Sequence, residues 1–563
     1  MSKNEKEIMH SENNLSMEMR VVSSLEKIFP YEKPTLYIQK ASILKNERLH
    51  FQLVVRTNEH IMDGEIRVEG ALAPYVRIFS EDYVAVTSEI SRWPAYDDYR
   101  IHTEQEMGIY PDVLRPIDKY KHVFKKNVYT PFWVTVDVNN HINAGVYPVR
   151  FLAFDEKGKP LAETVFEIEI IDECLEKSDL YVFDWIHFDS ICSIHKTKYL
   201  SKRFYKITSE YLKTAVRNGV NVLLLPALNY AVDADVGTYR KDMQLLVVEK
   251  TERGYSFDFS LLEKFIDFAL SCGMKYFCLS HIASQWGAKS AVRVRMTENG
   301  KKVYKFGWKT PSSDDEYVEF LKAYLMAINA FLEEKGLKEQ SFICISDEPP
   351  KGGMENYQRL SALIKEYAKG LPILDATAEY SYVEQGQMDV PVIASEKYDD
   401  FPKTENAWVY YCCVQRAEYV ANRFINMPSQ RNRILGMQLY ANQTKGFLHW
   451  GYNFYAGYLS KKNINPYLVN DSMGLFEAGD AFIVYPTENG CVESLRQPVF
   501  FDGLQDYCAL KTLEKYIGKG ATLELLKEEG VQGYKTYPHS AQWHIAFRER
   551  INRMIAEYVR KEK

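Results

Sequence analysis

From about residue 175 onward, short apolar runs alternate with amphipathic helical stretches, and this rhythm constrains the fold more than any other feature of the chain. Eight such runs occur: LYVFDW (180–185), NVLLLPA (221–227), KYFCLSH (275–281), FICISDE (342–348), PILDAT (372–377), PVIAS (391–395), AWVYYCC (407–413) and GFLHWGY (446–452). Between them lie stretches such as SKRFYKITSEYLKTAVRNG, FSLLEKFIDFALSCG and DDEYVEFLKAYLMAINAFLEEKG, which close on Gly as a helix C-terminus prefers. Strand–helix–strand repeats require a parallel sheet faced by helices. Eight units over about 390 residues predict a (β/α)8 TIM barrel with insertions. A doubly wound open sheet is the alternative, but no glycine-rich nucleotide loop accompanies it.

The first part of the chain has a different period. LHFQLVVR (49–56), GEIRVEG (64–70), PFWVTVDV (131–138), GVYPVRFLAF (145–154) and ETVFEIEIID (163–172) read as strands separated by turn signals, with no long helix among them. We therefore expect a multidomain β plus α/β chain. Residues 1–16 are polar and loose, 17–174 form an antiparallel β-sandwich, and 175–563 form the barrel with C-terminal helices. Two insertions read as hairpins, QLLVVEKTERGYSFDF (244–259) and VRVRMTENGKKVYKF (292–306), the second with Asn299-Gly300 at its tip. Lying in loops that follow strands, both are expected as walls or lids of a site.

Composition removes several functions. The 563 residues carry a net charge of −6 with no basic patch, so nucleic acid is not an expected partner. No run approaches the roughly 18 apolar residues of a membrane span. The nine cysteines are scattered, odd in number and without a CxxC pair, which points neither to a disulfide framework nor to zinc. MSKNEKEIMHSENN has no apolar signal region, so a reducing cytoplasm and substrates imported as fragments are expected. No cofactor is called for. Aromatic residues reach 14%, including 40 Tyr, which serves aromatic cores and also sugar-stacking platforms.

The run SFICISDEPP ends a buried strand on Asp347-Glu348 and two prolines. An unpaired carboxylate is costly to bury, so the pair belongs at an opening, and barrel sites form at the C-terminal ends of strands. By strand alternation Cys344, Ser346 and Glu348 share the inner face, placing Glu348 toward the axis and Asp347 on the rim beside it. Two carboxylates at a barrel mouth suggest glycoside hydrolysis. Neighbours on a strand diverge, however, and cannot flank a scissile bond from opposite sides. The arrangement that resolves this makes Glu348 the general acid/base, while Asp347 orients an N-acetyl group at C2 whose carbonyl oxygen attacks C1. A charged Asp347 would also raise the pKa of Glu348 into the range useful for an acid. The structural alternative is a helix cap or an ion pair with Arg.

Strand ends supply further candidates for substrate binding: Trp185, His187 and Asp189 after strand 1, Asn229 with Tyr230 after strand 2, and His281 and Trp286 after strand 3. Tyr410 with Tyr411 lies in strand 7, and Trp450, Tyr452 and Asn453 close strand 8. Trp450, expected to face the same way as Leu448 and Tyr452, is the favoured sugar platform. His187 and His281 lack the spacing of metal ligands, and no metal site is expected. Pro111-Asp112 reads as a turn, or as part of a loop over 90–120, containing RWPAYDDY, that reaches the barrel mouth. The charged C-terminal helices over 516–563 could carry a homo-oligomer contact.

ISDEP after a strand resembles the catalytic motif of glycoside hydrolase family 123 and of the related group called domain of unknown function 4091. GIYPDVLRPI (108–117), AGVYPVRF (144–151), YLKTAVRNGVNVLLLP (211–226), KGFLHWGYNFY (445–455) and DAFIVYP…ESLRQPVFFDGLQDYCALKTLEK (480–515) match in the family's order, over roughly residues 50 to 515. The resemblance implies a β-sandwich followed by a (β/α)8 barrel. It also implies a retaining, substrate-assisted exo-β-N-acetylgalactosaminidase, with Asp347 orienting the acetamido group and Glu348 as acid/base. The alternatives are a glycosidase for a sugar without an acetamido group and a carbohydrate-binding barrel without turnover.

Overall fold

The computed structural model describes residues 16–86, 108–117, 121–416 and 419–561. The expectations for residues 1–15 and for most of the 90–120 loop, RWPAYDDY included, fall outside these. The chain forms a β part followed by an α/β part.

The N-terminal part holds two five-stranded sheets. One pairs Met17–Ser23, Arg48–Thr57, Thr130–Asp137, Val76–Val86 and Gly108–Pro116 in that order; the other pairs Lys40–Lys45, Pro160–Cys174, Gly145–Phe154, Ile61–Glu69 and Lys121–Phe124. Alternating residues of both, among them Phe51, Leu53, Phe132, Val134, Phe151 and Phe166, interlock in one apolar cluster. Not every pairing is antiparallel: Lys40–Lys45 runs parallel to its partner strand. Pro111-Asp112 is not a turn but lies within Gly108–Pro116, an edge strand of its sheet, where a residue without an N–H costs no ladder bond.

The α/β part contributes eight short parallel strands, labelled β1 (Tyr181–Asp184), β2 (Val222–Leu225), β3 (Tyr276–Leu279), β4 (Ser341–Ile343), β5 (Leu374–Thr377), β6 (Val390–Ala394), β7 (Trp408–Tyr410) and β8 (Gly446–His449). β2–β3–β4 pair in sequence, as do β5–β6–β7–β8, and β8 returns to β1. Two links complete the circuit. Asn221 N–H donates to the Val182 carbonyl at 3.0 Å while its side-chain oxygen accepts from Val182 N–H at 2.9 Å, tying β2 to β1. Ile343 N–H donates to the Pro372 carbonyl at 3.0 Å, tying β4 to the start of β5. The N-terminal end of the circuit is filled by aromatic rings: Tyr181 stacks on Trp408 at 5.0 Å and meets Tyr276 and Phe342.

Helices Lys202–Arg217, Ser260–Ser271, Asp315–Glu334 and Met354–Tyr367 follow the first, second, third and fourth strands. Ser201 and Asp314 cap two of them by accepting from Phe204 N–H and Tyr317 N–H, each at 3.2 Å. Gly219 and Gly273 close two with φ of 91° and 100°, a conformation that glycine adopts without penalty. The two insertions form hairpins, Val247–Thr251 with Gly254–Asp258 and Val294–Glu298 with Lys301–Lys305, joined in one four-stranded sheet. This sheet does not wall the site. It lies on helix Asp315–Glu334 through Tyr255 and Phe257 against Phe320.

The two parts share buried surface: Leu44, Val84, Tyr110 and Val113 join the main apolar core. At this junction Asp112, fully buried, accepts from Arg496 Nε at 2.8 Å and Nη2 at 3.0 Å and from the Tyr485 hydroxyl at 2.5 Å. The last helix, Ala541–Lys561, packs back on the N-terminal sheet, where Arg548 pairs with Glu47 at 2.7 Å and Glu549 accepts from Ser42. Among the described residues, no helix is long and apolar enough to cross a membrane.

Candidate active site

β4 pairs only through Ile343; the chain beyond it is buried but irregular. Asp375, the second residue of β5, shapes it. Its Oδ2 accepts from Ile345 N–H at 2.8 Å, Ser346 N–H at 3.3 Å and the Tyr357 hydroxyl at 2.6 Å. Ser346 Oγ donates to the Ser284 carbonyl at 2.8 Å, and Trp286 N–H donates to the Asp347 carbonyl at 2.9 Å. Glu348 then takes a left-handed φ of 42°, a strained state for a side-chain-bearing residue that is kept where the surroundings enforce it. This breaks the expected alternation. Asp347 does not stand aside on the rim; both half-buried carboxylates line one cavity.

The cavity has a volume of about 110 Å³ and is open on one side. It is small beside ligand clefts of roughly 300–1,000 Å³, so it suits one ring rather than a polymer chain. Its walls are mainly aromatic: Trp185, Trp286, Tyr410, Trp450, Phe454, Tyr458 and Phe476, with Leu448, Cys412 and Cys413. Trp450 is fixed by donating its indole N–H to Asp480 at 3.0 Å and by rings of Phe454 and Phe476 about it. Trp286 stays 46% exposed at the entrance. The Tyr410 hydroxyl donates to Glu348 Oε1.

Thus Asp347, Glu348, Trp185, Trp286, Tyr410 and Trp450 come together, whereas the eight other candidates, Tyr230 among them, do not line this cavity. The alternation expected for Leu448, Trp450 and Tyr452 holds for the first two, which both line the cavity, and fails at Tyr452, beyond the end of β8 at His449. Tyr452 turns into the core, its hydroxyl donating to the Tyr211 carbonyl at 3.4 Å. Asn453 clasps the backbone of His187 from both sides, accepting from its N–H at 2.8 Å and donating to its carbonyl at 3.2 Å. Asn229 braces two loops, accepting from Met243 N–H and donating to the Arg293 carbonyl. His187 and Asp189 hold Arg240: Asp189 accepts from its Nε at 2.8 Å and Nη2 at 2.7 Å, and His187 Nδ1 lies 2.8 Å from Nη2. Tyr411 points the other way from Tyr410, against His449. His281 lies behind the cavity, edge-on to Trp185 at 5.3 Å.

Sequence reasoning missed Asp233, which lines the cavity from the loop after β2, and Asp375 behind it. Asp375 lies inside β5, where a strand-end rule does not look, and nothing local marks Asp233. Among the described residues, His281, Cys344 and Asp375 form a group whose donor atoms lie within 4.8 Å of one another. Asp375 Oδ2 accepts three bonds that shape the Asp347-Glu348 segment, while its Oδ1 stands 4.0 Å from His281 Nε2.

The acids sit in an environment that resists ionisation. Burial, and then the negative neighbours Glu348, Asp233 and Asp375, push Asp347 well above the usual carboxylate range. Burial also raises Glu348, opposed by the Tyr410 hydroxyl bond. Asp375 is pushed up to about 7 by burial, and burial drives His281 down to about 3. His187 falls to about 3 through burial and the adjacent Arg240. Both members of the pair are therefore held toward the protonated form, and as close neighbours they titrate as a coupled unit.

Paired acids at the ends of parallel strands, in a one-ring pocket walled by tryptophan, are the equipment of an enzyme that hydrolyses glycosidic bonds. Residues 185–513 match the model for the glycoside hydrolase 123 catalytic domain. This is more than half of the chain, which belongs to glycoside hydrolase family 123 and is a glycosidase that binds carbohydrate. Among solved structures it is similar to a family 123 glycoside hydrolase from Clostridium perfringens, described in connection with glycolipid glycan hydrolysis. The identity is 16% and the TM-score 0.75, over 97% of this chain and 99% of the other. A looser likeness is to a β-D-glucuronidase of Dictyoglomus thermophilum, at 9% identity and a TM-score of 0.32 over 85% of this chain and 72% of the other. No curated protein matches the chain.

Proposed function

We propose that the protein is a retaining exo-β-N-acetylhexosaminidase working by substrate assistance, with N-acetylgalactosamine as its terminal sugar. The galacto configuration follows the family resemblance, and the Clostridium perfringens enzyme's link to glycolipid glycans is consistent with it. On this reading the eight-strand circuit is a (β/α)8 barrel and the two N-terminal sheets a β-sandwich, near the boundaries expected from the sequence. The observation that carries the proposal is the left-handed turn at Glu348, which aims two adjacent acids into one small pocket. Adjacent acids serve one side of a sugar. They suit a mechanism in which the substrate itself supplies the nucleophile.

Burial raises both Asp347 and Glu348. An acetamido N–H donated to Asp347 favours its charged form and leaves the proton on Glu348. The acetamido carbonyl oxygen then attacks C1 as Glu348 protonates the departing glycosidic oxygen. The resulting oxazolinium ion is opened by water, whose proton returns to Glu348, so the β configuration is retained. Tyr410 orients Glu348, and Trp450 supplies the face on which the pyranose stacks.

A second reading rests on Asp233, a third acid in the cavity that could serve as an enzyme nucleophile for a sugar without an acetamido group. A panel of nitrophenyl glycosides separates the two. The proposal expects turnover of the β-N-acetylgalactosaminide and inhibition by the matching thiazoline. Turnover of plain hexosides with indifference to the thiazoline would overturn it in favour of the second reading.

A further inference from the structure

The mechanism above leaves Asp233 without a task, yet it is a tightly held residue of the cavity wall. Its backbone is left-handed, with φ of 57°, a state kept where surroundings enforce it. Two bonds enforce it: Asp233 N–H donates to Gln285 Oε1 at 2.6 Å, and Ser460 Oγ donates to the Asp233 carbonyl at 2.7 Å. Loops following β2, β3 and β8 thus converge on one residue.

The side chain is equally particular. Among the described residues, buried Oδ2 accepts no hydrogen bond, and it stands 3.5 Å from Arg240 Nη1, which likewise has no hydrogen-bond partner there. Arg240 cannot swing to satisfy it, because Asp189 holds its Nε and Nη2. The guanidinium therefore supports the negative charge of Asp233 without occupying its lone pairs. The side chain retains 23% exposure and lines the cavity. Burial raises Asp233 to about 6, opposed by Arg240.

We infer that Asp233, backed by Arg240, is the acceptor that reads the ring hydroxyls of the bound sugar on the side away from the scissile bond. The inference rests on the proposed roles of Asp347 at the C2 acetamido group and Glu348 at the C1 oxygen, which leave the C3, C4 and C6 hydroxyls to be recognised. Hydrogen bonds from a hydroxyl to a carboxylate are roughly twice as strong as neutral ones. A fixed acceptor with free lone pairs discriminates sharply against a sugar lacking the hydroxyl.

The test is a cycle between the residue and the hydroxyl. Asp233→Gly keeps the left-handed backbone without strain and removes the carboxylate, and its melting temperature checks that it folds. Both proteins are assayed on 4-nitrophenyl β-N-acetylgalactosaminide and its 3-, 4- and 6-deoxy analogues. The variant should lose about 10- to 100-fold in kcat/KM on the parent, the size of a charged hydrogen bond. One deoxy analogue should lose a similar factor with the wild type and little more with the variant. Losses that simply multiply for all three analogues would overturn the inference. So would a loss above about 10⁴-fold restored by azide, which marks a nucleophile. If the wild type turns over no N-acetylhexosaminide, the functional reading fails. The same cycle by calorimetry, with free N-acetylgalactosamine and its deoxy forms, then still decides for or against Asp233, and absence of binding decides against.

Discussion

Asp347→Asn should make the protein more stable while destroying its activity. No hydrogen bond to the Asp347 carboxylate is present among the described residues, and Glu348 and Asp233 stand beside it in the cavity. Ionised, it is an incompletely solvated charge facing like charges, a situation that costs about 1–3 kcal/mol for a polar group without compensation. An unfolding entropy of about 2.1 cal/mol/K per residue over 563 residues gives roughly 1.2 kcal/mol/K, so the gain is about 1–3 °C in Tm if the chain melts as a unit. The pH dependence fixes the cause. Folded Asp347 is raised above the unfolded value near 4. The folded state therefore binds the proton more tightly, and wild-type stability falls as pH rises from about 4 through the raised folded value. The variant, unable to ionise, escapes this loss. Differential scanning calorimetry from pH 4 to 8 should show the two Tm values converging at the acid end and separating toward neutrality. A variant less stable at pH 7, or a gap independent of pH, would refute the reasoning.

Two other perturbations have defined outcomes. Glu348→Gln should lower kcat/KM by about 10²- to 10⁴-fold on substrates with poor leaving groups and much less on nitrophenyl substrates, since only the former need proton donation. Equal losses across a leaving-group series would contradict its role. Asp112→Ala strands buried Arg496 and should cost about 3–5 kcal/mol in denaturant unfolding. Removing the exposed Asp82 partner of Arg115 should cost less than about 1 kcal/mol.

Much of the fold could be read from periodicity, because most of the eight strands lie in apolar runs and the helices between them are amphipathic, although β5 carries Asp375 within it. The Asp347-Glu348 pair was legible for the same reason, as charge at the end of such a run. What periodicity could not carry was conformation beyond the last ladder bond. Alternation predicted diverging acids, but the amide contacts to Asp375 and the left-handed turn at Glu348 bring them together. Tyr452 failed likewise, one turn past the end of β8. His187 and Asp189 were singled out for their position, and their partner Arg240 lies some 50 residues away. Asp233 sits in a loop with no pattern at all; only the convergence of Gln285, Ser460 and Arg240 on it marks the residue. Pro111-Asp112 looked like a turn, since proline at a sheet edge is indistinguishable from proline at a bend until the partner strand is known.

Whether the acetamido oxygen is the nucleophile can be decided with three more substrates. On 4-nitrophenyl β-glycosides bearing fluoroacetyl, difluoroacetyl and trifluoroacetyl groups on the C2 nitrogen, each fluorine weakens the carbonyl oxygen without greatly changing its size. Participation predicts that kcat/KM falls steeply, by about tenfold or more per fluorine. Rates that stay flat across the series would mean that an enzyme side chain attacks C1, and the assignment of Asp347 would have to be abandoned.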